Sequence, residues 1–138
     1  MKLQTYTKKV MKRFMNPKNS GIIKNASAVG NNLNDKCGDK MVVYLKIEKN
    51  KQNKDIIKDI KFQTLGCPAA ISASDVMCDI VKGKTLEEAE KIKDSNITKK
   101  LGGLPMIKVH CSVLGARTLK QAIENYRRKN GKFNKNFN

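Results

Sequence analysis

The sequence predicts an α+β domain: a small antiparallel sheet of about three strands with helices packed on one face, including an N-terminal helix and a long C-terminal helix. Three observations predict it. Apolar residues follow a helical period near the N-terminus, alternate over residues 41–48 and 55–65, and return to a helical period from residue 67 onward. Turn-forming clusters rich in Gly, Pro, Asn and Asp separate these stretches. A run of strands followed by a run of helices is the α+β order.

Leu3, Tyr6, Val10 and Phe14 space the apolar stripe of an amphipathic N-terminal helix. "NPKNSG" (16–21) ends it with Pro17 and Gly21. "NASAVGNN" (25–32) is expected as a short edge strand, and "NDKCGDK" (34–40) as a tight turn. In "MVVYLKIE" (41–48), Met41, Val43, Leu45 and Ile47 share one face, with Val42, Tyr44, Lys46 and Glu48 opposite. "KNKQNK" (49–54) is a polar hairpin loop, and "DIIKDIKFQTL" (55–65) is the next strand, with Ile60 and Phe62 on one face. "CPAAISASDVMCDIVKG" (67–83) sets Ala70, Ala73, Val76, Met77 and Ile80 at helical spacing. Pro68 suits its first helical position, where a missing N–H is no loss, and Gly83 suits its stop. Thr85 followed by Glu88 is a capping box. "SNITKKLGG" reads as a short helix closed by Gly102 or Gly103. The last helix carries Val113, Ala116, Leu119, Ala122, Ile123 and Tyr126 on one face. Residues 1–129 are expected to form a single domain, and the Asn/Lys-rich residues 130–138 a disordered tail.

A chain of 138 residues can bury a core without disulfide staples. Lys and Arg number 29 against 12 Asp and Glu, a net charge of +17. Such a charge raises the question of nucleic acid, since phosphate contacts dominate that affinity. The detail weighs against it: only four of the cations are arginines, the lysines are spread along the whole chain, and no recognition-helix, RNP-like or zinc-finger pattern occurs. A solvated lysine surface, or attraction to acidic partner proteins, accounts for the charge. No apolar run approaches the ~20 residues that span a membrane. Lys2, Lys8, Lys9, Lys12 and Arg13 interrupt any signal-peptide core. A cytoplasmic protein with reduced thiols is the expectation.

The cysteines are Cys37, Cys67, Cys78 and Cys111, and none forms a C-x-x-C pair. Cys37 sits in the predicted turn, where Gly38 permits a left-handed backbone and Asp39 sets a carboxylate nearby. Cys67 precedes Pro68 and should cap a helix; Cys111 lies near the start of the last one. The partial positive charge at a helix N-terminus favours the thiolate, the form that binds metal or attacks sulfur. Cys78 lies three helical turns beyond Cys67, about 16 Å along the axis, too far to share a metal with it, and reads as a small buried hydrophobe. Cys37, Cys67 and Cys111, with His110 and Asp39, suit tetrahedral zinc or iron held through sulfur. For His110, a hydrogen-bonded imidazole without a metal is an even alternative.

"YTKKVMKRFMNPKNSG" (6–21), "KCGD" (36–39), "LGCPAAI" (65–71), "GKTLEEA" (83–89) and "LGGLPMIKVHCS" (101–112) together resemble the NifU/IscU-type iron–sulfur cluster assembly scaffolds, from about residue 5 to 127. The resemblance implies ligand roles for Cys37, Cys67 and Cys111, an active-site carboxylate at Asp39, an imidazole at His110 and an auxiliary amine at Lys108. It leaves Cys78 without a role. It implies a transfer protein and not an enzyme. Such a protein takes persulfide sulfur from a cysteine desulfurase, builds a transient [2Fe–2S] cluster and passes it to apo-proteins, with Cys111 as sulfur acceptor. Zn²⁺ at the same residues, and a frataxin-like iron source or a chaperone as partner, belong to the same implication. A zinc-binding partner of a desulfurase is the alternative reading, and a basic nucleic-acid module a further one. Two departures stand out. The family's Leu-Pro-Pro-Val-Lys, read by a chaperone pair, is here Leu104-Pro105-Met106-Ile107-Lys108, and the Gly that usually follows the second cysteine is Pro68. The extra cluster domains of longer NifU proteins are not expected.

Overall fold

The structure is a computed structural model that describes residues 6–33, 38–103 and 113–129. Along the chain come α1 (Lys8–Met15), β1 (Ala28–Leu33), β2 (Lys40–Lys49), β3 (Asp55–Leu65), α2 (Pro68–Val81), α3 (Leu86–Glu90), α4 (Asp94–Lys100) and α5 (Val113–Lys129). The strands form one antiparallel sheet in the order β1-β2-β3, as the alternating pattern predicts.

Met41, Val43, Leu45 and Ile47 of β2 are buried on one face of the sheet, beneath α2 and α5. The core there joins Phe62 and Ile60 of β3 to Val76 and Met77 of α2 and Leu119 and Ile123 of α5. Strict alternation would put Ile57 on the outer face, yet it is wholly buried. The pairing explains it: Lys46 faces Asp59 while Ile47 faces Ile57, so Lys58 is an extra residue in β3. This β-bulge switches the parity and lets Ile57 and Ile60 both face the core.

Three expectations need adjustment at element ends. The first helix starts at Lys8, because the Thr7 side chain caps it by accepting from Val10 N–H at 3.1 Å. Tyr6 therefore precedes the helix and packs, half-buried, against the core, while Leu3 lies outside the described residues. In α5, Leu114 is buried where Val113 is only half so. In α2, Ile80 is half-buried, whereas Ala69, Ser72, Ser74, Asp75, Cys78 and Val81 join the core. α2 has neighbours on almost every side, with α1, β3, α4 and α5 all packed on it. A single apolar stripe cannot describe a helix so enclosed. The Thr85–Glu88 capping box forms reciprocally, at 3.1 and 3.0 Å. Residues 130–138 lie outside the described residues.

A polar network ties α1 to α2. Asp75, only 1 % exposed, accepts from Asn19 N–H at 2.8 Å, from Asn19 Nδ2 at 3.0 Å and from Arg13 Nη1 at 2.8 Å. Arg13 Nη1 also donates to Asp79 at 2.7 Å. The same segment closes one sheet edge: Phe62 N–H donates to Asn19 O at 3.0 Å, and Gly21 N–H to Phe62 O at 2.9 Å. No local sequence pattern announces this network. Its one signal is Asp75, an acid set in an apolar helical run.

Candidate functional site

β2 starts opposite the end of β3, with Lys40 paired to Leu65. One residue beyond this rung lie Asp39 on one strand and Gly66 on the other, and Cys67 opens α2. The topology thus brings Asp39 and Cys67 to one end of the sheet.

Cys67 is the N-cap of α2, as expected, with extended backbone (φ −81°, ψ 172°) and Pro68 at the first helical position. Its carbonyl accepts from Ile71 N–H at 3.1 Å. It is half-buried at the N-terminus of the helix. Asp39 is 7 % exposed, and its Oδ2 is buried with no hydrogen-bond partner among the described residues. A methyl group on Gly66 would stand 3.2 Å from both Cγ and Oδ2 of Asp39, and 3.0 Å from Ala70 Cβ. The carboxylate therefore lies over Gly66, against the first turn of α2. Gly38, at φ +74°, takes the left-handed backbone that the turn requires.

A buried carboxylate oxygen without a donor is costly unless something else meets it. It lies at the same end of the sheet as Cys67, the helix cap, and a carboxylate oxygen and a thiolate are donor types that iron and zinc accept. Among the described residues, no group of three or more such side chains gathers. Cys37, Lys108, His110 and Cys111 lie outside the described residues, as do Met106 and Ile107 of the altered chaperone motif.

Met41, Ser74 and Gly115 meet in the core. Ser74 of α2 donates to Met41 Sδ at 3.6 Å, and Met41 follows Asp39 by two residues. A methyl on Gly115 would stand 3.1 Å from the same Ser74 Oγ. Gly115 follows Cys111 by four residues.

Cys78 is wholly buried. Burial pushes its thiol well up, and the negative charges of Asp75 and Asp79 push the same way. It is held as an inert thiol, in keeping with the structural reading of the sequence.

The comparisons with known proteins agree with this fold. The family described as NifU-like N terminal domain matches residues 5–133. The iron–sulfur cluster assembly scaffold protein IscU 1 of Archaeoglobus fulgidus is 48% identical over 94% of this chain and 82% of its own length. The scaffold protein IscU of Buchnera aphidicola is 43% identical over 91% of this chain and 98% of its own. A solved structure from Fervidobacterium islandicum, described as an iron–sulfur cluster assembly scaffold protein for the SUF system, superimposes with a TM-score of 0.65 at 26% identity, covering 86% of this chain and 96% of that one. Motifs, fold and relatives coincide: the chain belongs to the NifU-like N-terminal domain family.

Proposed function

We propose that the protein is a scaffold on which an iron–sulfur cluster is assembled and from which it is passed on. Family membership supports the scaffold role, and one observation carries it to this chain's own residues: Oδ2 of Asp39, buried without a partner among the described residues, at the same sheet end as the Cys67 helix cap. The cluster, a [2Fe–2S] unit, is cargo. Cys37, Cys67 and Cys111 supply thiolates, Asp39 an oxygen, His110 an imidazole and Lys108 a nearby cation. Cys111 takes sulfur by attacking the outer sulfur of a cysteine desulfurase persulfide, and the desulfurase thiolate leaves. An external electron donor reduces that sulfur to sulfide. Asp39 is a hard oxygen in a soft sulfur site, so its bond to iron is weak and the cargo leaves readily. The protein binds and transfers without a turnover of its own, and its acceptors are apo iron–sulfur proteins. A reducing, cytoplasmic setting suits its thiols, and no described helix is long and apolar enough to cross a membrane.

Anaerobic reconstitution with ferrous iron, cysteine and a desulfurase tests this. The parent acquires visible absorbance and labile sulfide, and Cys67→Ser loses both. Tight zinc that iron and sulfide do not displace, with no persulfide on any thiol, would overturn the reading in favour of a zinc protein.

Asp39→Ala has two expected effects. The loaded protein releases its cluster to an acceptor more slowly than the parent, because the labile ligand is gone. The unloaded protein gains about 1 kcal/mol of stability in urea, because a buried oxygen without a partner is removed. Equal transfer rates would refute the labile-ligand role, and a loss of stability would show that Oδ2 has a partner after all.

A further inference from the structure

A second feature lies on α1, away from the sheet end that carries Asp39 and Cys67. Lys9, Lys12 and Arg13 share one face of α1 and, with its C-cap Asn16, line a groove of about 570 Å³. Lys18 and Lys100, the latter in the last turn of α4, complete its walls. The Thr7 hydroxyl donates to Leu101 O and fixes the start of α1 against the end of α4. Asp75 is the one acid in the lining, and its carboxylate is already taken by Asn19 and Arg13. Lys18 pairs with Asp79 at 3.4 Å. Lys9, Lys12 and Lys100 form no ion pair among the described residues.

We propose that this groove docks an acidic segment of a partner protein. Three lysines without an ion pair among the described residues, Lys9, Lys12 and Lys100, beside one spent carboxylate call for an anionic occupant. The chemistry of the lining decides which kind. Nucleic acid fits less well: no aromatic side chain lines the groove to stack a base, and its only arginine is held by two carboxylates.

The test must separate this groove from the general charge of +17. The probe is a short fluorescein-labelled peptide of glutamates interspersed with serines, titrated with the full chain and followed by anisotropy. Two double variants, Lys9→Glu with Lys12→Glu and Lys51→Glu with Lys58→Glu, change the net charge equally, and all four lysines are exposed. The α1 pair should weaken peptide binding by about tenfold or more, and the sheet pair by less than about threefold. Equal weakening by both pairs, or no binding by the parent, overturns the proposal. So does an oligothymidylate that binds the parent more tightly than the peptide and is lost in the α1 variant.

Discussion

Asp75→Ala should lower the stability by about 4 kcal/mol, the scale seen when one member of a buried charged network is removed. For a chain of this size that is a fall in Tm of roughly 10–15 °C. The loss has identifiable parts. Asn19, itself buried, would keep a backbone N–H and part of its amide without an acceptor, and Arg13 would lose one of its two carboxylates. These bonds hold α1 and the 19–21 segment on α2, the helix that begins with Cys67. Asp79 is a partner in the same network but 33% exposed, so Asp79→Ala should cost less than about 1 kcal/mol. Urea unfolding of the two variants makes the comparison, and equal losses would mean that burial is not what makes Asp75 matter. Acid should act on the same contacts. Burial alone would raise the Asp79 carboxyl, but hydrogen bonds from Asn19 and Arg13, and the charges of Arg13 and Lys18, hold it below its usual value. Its contribution is therefore present above the ordinary carboxyl pKa of about 4 and fades as pH falls through the lower folded-state value.

Gly30→Ala should cost about 3 kcal/mol, although alanine is ordinarily no worse than glycine in a strand. A methyl at residue 30 would lie 2.6 Å from Thr118 O and 2.7 Å from Ala122 N. Both are backbone atoms of α5, so no side chain can turn aside; the helix must lift from β1. Hydrogen exchange would locate the effect, with protection lost first in α5 and β1. Unchanged stability would mean that the helix shifts at no cost, and that the close approach has no energetic weight.

Much of this architecture is legible in the sequence because it depends on local period. The alternation over β2, the Thr85–Glu88 box and the Cys67-Pro68 helix start each lie within a few residues, and each forms as read. What escaped depends on partners far apart in the chain. Nothing near Ile57 announces the extra residue at Lys58, because a bulge is defined by the strand opposite. Nothing near Asn19 points to Asp75, and nothing near Asp39 shows that Gly66 would lie against its carboxylate. Asp39 entered the candidate site because it neighbours Cys37 in sequence; its burial is a property of the rung that joins two strands.

The enclosure of α2 has a mechanical corollary. A rod gripped by a strand of the sheet and three other helices cannot pivot without prising the interior open, and the residue that opens it inherits that rigidity. Position 67 is thus a stationary datum. On the proposed donor set, the adjustment that accompanies loading and unloading falls to the other ligands, measured against this one fixed corner.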